Sequence, residues 1–414
     1  MIPDLEPIRA FLAEHHPGLT AEVARFASER IAPLPPAADD AAARRQAREI
    51  LGLLGEGGWC RWAVPAEWRG GPAAGGASDP GAPVADDSAA GIALDLRACC
   101  LIREALAAAS PLADAVFALQ CLGSAPIALA GDDHLRRRWL PEVAAGRAMA
   151  AFALTEPEAG SDPAAVATRA RRDGDGYRID GAKHLISNAG IADFYVLFAT
   201  TDPEAGGRGL TAFVVPADAA GLTFRPQVLS EPHPLGEIAL DGVRVPASAR
   251  LGAEGEGLKT ALATLDRLRP TVAAAACGMA ARALAEALGH ARTRQQFGKP
   301  LAEHQLVQAK LARMATELTA ARLLTYRAAA AADGGAARVT LPAAMAKLYA
   351  TEAAQRVVDD AVQLLGGRGV LAGAVTDRLY RAVRALRIYE GTSEIQHLVI
   401  ARELLRAAAA GPPA

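Results

Sequence analysis

The chain has 414 residues, enough for two or three domains with separate cores, and its 51% hydrophobic and 22% charged residues are those of a folded, soluble protein. A formal net charge of −2 leaves no basic excess to attract nucleic acid or anionic lipid. Five cysteines (Cys60, Cys99, Cys100, Cys121, Cys277) are odd in number and lack C-x-x-C spacing, so neither a disulfide frame nor a zinc site is implied, and small buried side chains are expected instead.

The amino terminus, "MIPDLEPIRAFLAEHH", is acidic and broken by proline where a signal peptide needs a positive start and an unbroken apolar run. No stretch reaches the ~18 uncharged apolar residues of a membrane span, so a cytoplasmic protein is expected. Over residues 1–150 apolar positions recur three and four apart in "AEVARFASERIAPL", "ARRQAREILGLLGEGGW", "DLRACCLIREALAAAS" and "HLRRRWLPEVAAG", which predicts an all-helical domain. Within it, "GPAAGGASDPGAPVADDSAAG" (71–91) reads as a surface loop.

The period changes near residue 151. "TRARRDGDGYRIDGAKHLISN" turns around Asp173-Gly174 and Asp175-Gly176, and "FYVLFATT", "TAFVVPA", "LTFRPQ" and "EIALDGVRVP" are short β-rich runs separated by turn residues. They predict a β domain over 151–252, with no βαβ alternation and so no Rossmann fold. The helical period returns over 253–414 in three long segments and a tail helix, predicting a bundle of four or five helices.

The common nucleotide and hydrolase signatures are absent: no G-x-G-x-x-G after a strand, no G-x-x-x-x-G-K-[ST], no H-E-x-x-H, no G-x-S-x-G. Other segments remain. "AFALTEPEAGSDPAA" sets Thr155, Glu156, Gly160, Ser161 and Asp162 on one connection, able to present donors to phosphate or a flat polar ring, or simply to turn the chain. "KHLISNAG" ends a strand with Ser187 and Asn188, and "RQQFGKP" sets a cation and amides beside an aromatic. "QLLGGRG" reads by itself as a glycine helix cap. In "IYEGTSEIQ", Ser393 with Gln396 three residues on is a capping box, which starts a helix near Ser393. Glu390 just upstream could serve the helix dipole. Its place against Ile388 and Tyr389 suggests a buried carboxylate instead, which is costly unless it is paired or protonated.

In this order and spacing, "ALTEPEAGSD", "K-x-x-IS-N", "LDRLRP", "RQQFGKP…HQ", "QLLGGRG" and "IYEGTSEIQ" resemble the acyl-CoA dehydrogenase family, over roughly residues 20–406. The resemblance implies an α+β multidomain fold: an N-terminal helical domain, a middle β-barrel or sandwich domain and a C-terminal four-helix bundle. It implies FAD as cofactor and α,β-dehydrogenation of an acyl-CoA thioester to the trans-2-enoyl product. Such a site must stabilise an enolate-like charge while a carboxylate takes the α-proton and flavin N5 takes the β-hydride.

By the same resemblance Glu390 is the catalytic base, and the thioester oxygen is held by its backbone N–H and the flavin ribityl 2′-hydroxyl. Thr155, Leu185 and Ser187 match positions at the flavin ring, Ser161 one near the pyrophosphate, and Thr392 with Glu394 the loop along the FAD chain. Arg294, Phe297, Gln305, Gln363 and Gly367 match residues that reach the FAD of a neighbouring subunit, implying a homo-oligomer, usually a homotetramer. Asp266 and Arg269 match a pair lining the substrate channel, or form a plain i,i+3 salt bridge; Gly391 adjoins the substrate beside the base. Electron-transferring flavoprotein is the implied electron acceptor.

Two positions depart from the family pattern. Leu185 stands where an aromatic residue is common, and Ala382 follows Arg381 where aspartate is usual, which puts a local ion pair in doubt. Some relatives carry the base in the segment matching "LDRLRP"; Leu268 occupies that position and cannot accept a proton. Two rival readings share the fold: a flavin oxidase of the acyl-CoA oxidase or nitroalkane oxidase type, and a non-catalytic FAD-binding relative.

Overall fold

The computed structural model describes residues 4–69, 94–336 and 338–409. The segment expected to loop at 71–91 lies outside the described residues. Ten α-helices and ten strands are present among those described. Helices α1 (His16–Phe26), α2 (Asp40–Glu56), α3 (Leu96–Ala109), α4 (Pro111–Ala130) and α5 (Asp133–Ala144) come first. Strands β1 (Ala150–Ala153), β2 (Arg169–Asp173), β3 (Gly176–Ser187), β4 (Phe194–Thr200), β5 (Leu210–Pro216), β6 (Leu222–Pro226), β7 (Leu235–Pro246) and β8 (Arg250–Leu251) follow. Helix α6 (Gly257–Thr293) leads to the short strands β9 (Gln295–Gln296) and β10 (Lys299–Pro300), then to α7 (Gln305–Asp333), α8 (Thr340–Leu365), α9 (Val375–Leu386) and α10 (Ser393–Ala409).

The chain divides into two compact units: Met1–Pro36, Leu96–Asp114 and Asp266–Ala414 form one, Ala37–Asp95 and Ala115–Leu265 the other. The first is helical, and its core is built largely from alanine. Ala273, Ala276, Ala280 and Ala283 of α6 are buried in one cluster with Ala346, Ala350 and Ala354 of α8, while Met314 and Leu318 of α7 and Val383 and Leu386 of α9 supply bulk. Small side chains at the contacts let helix axes approach closely. Gly278 is the limiting case, since a Cβ there would lie 2.2 Å from the Glu104 carbonyl oxygen of α3.

The second unit is built on an eight-stranded sheet of order β6-β7-β3-β2-β4-β5-β8, with β1 paired in parallel to β4. Arg169–Asp173 and Gly176–Asp180 pair in an antiparallel hairpin whose tight end is Asp173 opposite Gly176, with Gly174 at φ 61°, as the Asp-Gly pairs predict. Strand β4 is buried along its whole length. Phe194, Val196 and Phe198 pack with Ile127 of α4 and Leu135, Leu140 and Val143 of α5. Tyr195, Leu197 and Ala199 point the other way and pack with Ile179 of β3 and Ile238, Val243 and Val245 of β7. A strand covered on both faces reads as a continuous apolar run, which is why "FYVLFATT" shows no alternation. The sheet curls so that its β3–β7 part faces its β4–β5 part, a sandwich with helices on one side.

Helix α4 was not foreseen, because it is apolar nearly all round and so has no amphipathic period. And α4 and α6 each contain an 18-residue window apolar enough, by length and composition, to cross a membrane. Every 18-residue window in either helix still carries a charged residue, and 83% and 67% of the apolar windows are buried inside the protein, the behaviour of core helices. All five cysteines are buried and none is in a disulfide.

Candidate active site

Helix α9 ends at Leu386, and the N–H groups of Ile388 and Tyr389 fold back onto the Ala385 carbonyl at 2.9 and 3.1 Å. The chain then takes two successive left-handed residues, Glu390 at φ 53° and Gly391 at φ 90°. For glutamate this conformation costs about 1–2 kcal/mol, so something must hold it. Lys347 of α8 donates to the Gly391 carbonyl at 2.6 Å, and Gln396 of α10 donates to the same oxygen at 3.0 Å. Arg269 of α6 and Gln396 each reach the Glu390 carbonyl at 3.4 Å. Three helices thus fix the two carbonyls of one strained turn.

The Glu390 side chain is shielded unevenly. Its Oε2 is cut off from solvent and accepts no hydrogen bond from any described residue. Burial therefore pushes the carboxyl above the ordinary carboxylate range, opposed by the positive charges of Arg103, Lys347 and Arg269 and helped by Asp114. Ile388 and Tyr389 are not the apolar walls expected from the sequence, being 53% and 41% exposed. The shielding comes from the helices.

Two of those cations already have partners. Arg103 grips Asp114 through two bonds and donates to Thr271 Oγ1 at 2.8 Å. Arg269 pairs with Asp266, whose other oxygen accepts from Thr340 Oγ1 at 2.8 Å. The i,i+3 pair foreseen between Asp266 and Arg269 therefore forms, within reach of the Glu390 carbonyl. Leu268 is buried.

The helix start at Ser393 is as expected, but its cap is not. Thr392 fills the cap position, its Oγ1 accepting from Ile395 N at 3.2 Å and its carbonyl from Gln396 N at 2.9 Å. Ser393 Oγ instead donates to Glu352 at 2.6 Å, and the Gln396 side chain turns back to Gly391 rather than to a cap N–H. The capping-box pattern was met by the right residue types one position out of register. Glu394 is exposed in the first turn, and the bond from its own N–H, with the Thr392 hydroxyl, holds its carboxyl below the usual range.

In the β unit the end of β3 is irregular. Its register with β7 shifts between Lys183 and Ile186, and both Leu185 and Asn188 are left-handed, at φ 55° and 64°. Gln227 accepts from Leu185 N at 3.0 Å, His233 Nε2 meets Ser187 Oγ at 2.8 Å, and Asn188 Nδ2 donates to the Ala150 carbonyl at 2.9 Å. His184 N donates to the Thr155 carbonyl at 2.9 Å, joining this end of β3 to the connection after β1. Leu185 is 50% exposed, beside the half-buried Thr155 and Ser187. Ser161 is exposed.

Glu156 is not a donor-loop carboxylate available to a ligand. Its oxygens accept from Lys183 Nζ at 2.7 Å, Ala167 N at 2.7 Å and Thr168 N at 3.0 Å, and it is buried, so it staples the connection to β3. Asp162 is likewise used locally, capping a short turn through Ala164 N. Arg381, whose ion pair the alanine at 382 put in doubt, pairs with Asp377 at 2.8 Å, one turn back on α9.

The remaining sequence candidates lie on the surface of the helical unit. "RQQFGKP" is a tiny hairpin of β9 and β10 with Phe297 and Gly298 left-handed at its tip, and Phe297 is 94% exposed. Arg294, Gln305, Gln363 and Gly367 are exposed as well. Lys347, Gln227, Arg103 and His233 escaped the sequence reading, although Lys347 and Gln227 bond the left-handed turns directly and His233 holds Ser187 beside one of them. One signal existed: the chain has only five lysines among 44 basic residues, and two of them, Lys183 and Lys347, are fully buried.

Three family models match the chain: the acyl-CoA dehydrogenase N-terminal domain over residues 81–147, its middle domain over 151–243 and its C-terminal domain over 255–405. The chain is 37% identical over 398 residues to the probable acyl-CoA dehydrogenase FadE25 of Mycobacterium tuberculosis (strain ATCC 25618 / H37Rv), covering 95% of this chain and 96% of that one. The solved structure of butyryl-CoA dehydrogenase from Megasphaera elsdenii superposes with a TM-score of 0.84 at 32% identity, covering 95% of this chain and 99% of that one. A glutaryl-CoA dehydrogenase from Mycobacterium smegmatis in complex with FADH2 matches with a TM-score of 0.80 at 28% identity, covering 97% of each.

A helical domain, a curled β-sheet and a second helical bundle in this order define a flavin-dependent dehydrogenase fold. The chain belongs to the acyl-CoA dehydrogenase family, and it is an FAD-dependent oxidoreductase. Its residues fit that cofactor: an exposed leucine beside half-buried hydroxyls at the end of β3 suits a flat ring with apolar faces and a polar edge.

Proposed function

We propose that this enzyme removes two hydrogens from Cα and Cβ of an acyl-CoA thioester, with Glu390 as the base that takes the α-proton. The observation that carries the reading is the Glu390 carboxylate itself, strained into a left-handed turn, shielded, and with one oxygen free of any partner among the described residues. A carboxylate denied hydrogen bonds and water is a stronger base than one in solvent, and its raised pKa brings it toward the range useful near neutrality.

The Glu390 N–H meets no acceptor among the described residues, as suits a donor reserved for a thioester oxygen on which charge develops. The left-handed turn aims that N–H and the carboxylate from one residue. Arg269 and Asp266 stand beside it, where they border the thioester arm and fix the base's backbone. In the β unit, Thr155 and Ser187 would hold the polar edge of the flavin and Leu185 would cover its face, with Ser161 toward the pyrophosphate; Thr392 and Glu394 would follow the FAD chain. When bound, FAD supplies the two-electron acceptor for the β-hydrogen. The exposed Arg294, Phe297, Gln305, Gln363 and Gly367 would reach a second subunit's FAD in a homotetramer, and electron-transferring flavoprotein would take the electrons onward.

Anaerobic titration of the yellow holoenzyme with acyl-CoAs of graded chain length tests this. Bleaching of the flavin band by at least one of them, with release of the enoyl product, supports it. A flavin band left intact by all of them overturns it, and fast reoxidation by air after bleaching replaces the acceptor with oxygen.

A further inference from the structure

Lys347 sits on α8 with its side chain fully buried, and among the described residues its ammonium makes one hydrogen bond, to a neutral carbonyl, that of Gly391. An ammonium out of water is costly unless a negative charge answers it. No carboxylate within ion-pair distance does so among the described residues. Of the other groups that face it, Arg269 is a like charge, Glu352 already accepts from Arg387 and Ser393, and Glu394 is exposed. Glu390 is the strongest countercharge that Lys347 has. Around Glu390 stand Arg103 from α3, Arg269 from α6, Lys347 from α8 and Asp114 from α4. Arg103 is neutralised by Asp114 and Arg269 by Asp266. Among the described residues, the charge of Lys347 alone is left over for the carboxylate.

We propose that Lys347 is a positioning residue for the base: its ammonium clamps the left-handed Glu390–Gly391 turn through the Gly391 carbonyl and supplies the charge that keeps the desolvated Glu390 carboxylate ionised. The proposal rests on Glu390 being the base. A lysine suits the task because a compact charge on a flexible stem can bond one carbonyl and still face a carboxylate, which the wide fork of arginine does less well. Burial pulls Lys347 down to about 8, with Glu390 pulling it back up, so the ammonium persists at neutral pH and is given up in mild alkali.

The test is an infrared titration of the Glu390 carboxyl band in the holoenzyme, assigned by its absence in Glu390→Gln, alongside the acid limb of the kcat/KM profile. Lys347→Met and Lys347→Gln remove the charge, and the glutamine keeps an N–H donor should the methionine variant fail to fold. Both should move the band and the acid limb upward by about one pH unit or more. Lys347→Arg should leave both near the wild-type position. Gln396→Leu, which removes the other donor to the same carbonyl and no charge, should leave the band in place. An unmoved band in the uncharged variants, or an equal shift in Gln396→Leu, overturns the proposal. Turnover surviving in Glu390→Gln would instead dismiss the base itself, so the two failures are told apart.

Discussion

Arg103 and Asp114 lock each other in the helical unit: Nε and Nη2 donate to the two carboxylate oxygens at 2.7 and 2.9 Å, with both side chains 2% exposed. The pair lies beside Glu390, and breaking it leaves one buried charge unanswered. Asp114→Ala is therefore expected to lower unfolding free energy by about 3–5 kcal/mol. Urea denaturation checks this, and the double replacement of Arg103 and Asp114 by apolar residues should recover much of the loss.

Glu390→Gln should stabilise the protein at neutral pH while harming function. The carboxyl is raised above its ordinary 4.5 by burial, so the native state binds the proton more tightly than the unfolded chain does. This carboxyl's contribution is then fully present below about pH 4.5 and lost as pH rises through the folded value. The Tm advantage of the variant should be small at pH 4 and larger at pH 7, as scanning calorimetry would show. A constant advantage would mean that the carboxylate is not desolvated.

Glu156 has the opposite sign. Burial pushes its carboxyl up, but Lys183, the Thr168 and Ala167 bonds outweigh it and hold the group below the ordinary 4.5. Its contribution is present above that value and lost as pH falls through the lower folded one. Glu156→Gln should be less stable at pH 7 and should lose less than wild type on acidification below about pH 4.5, measured by denaturant midpoints across pH.

Gly391 is a glycine for two reasons. Its φ of 90° is open to few other residues, and a Cβ there would lie 2.4 Å from Gln396 Nε2. Gly391→Ala should displace Gln396, loosen the turn and lower stability by at least ~1–2 kcal/mol, with a fall in turnover larger than any change in FAD content. Calorimetry and flavin absorbance would separate the two effects.

The architecture was legible because period alone separates helix from strand over long segments, and the Asp-Gly pairs fixed the β2–β3 turn. Helix α4 was not, because burial on all sides erases the period. At the site, Glu390, Leu185 and Phe297 were each singled out by motif, and each proves to be a non-glycine residue in the left-handed region, with Asn188 the fourth such residue among those described. What holds them was hidden. Lys347, Arg103, Gln227 and His233 act across long sequence separations, and a single buried lysine in "PAAMAKLYA" looks like any helix residue until α8 meets the turn. Short-range grammar also misled: Ser393 and Gln396 satisfied the capping pattern while the structure assigned the cap to Thr392 and gave both side chains other partners.

The most direct measurement is turnover of Glu390→Gln with whichever acyl-CoA bleaches the wild-type flavin. The account predicts that the variant keeps its FAD and binds the thioester while its rate falls by at least ~10³-fold; a variant that turns over at close to the wild-type rate would contradict it.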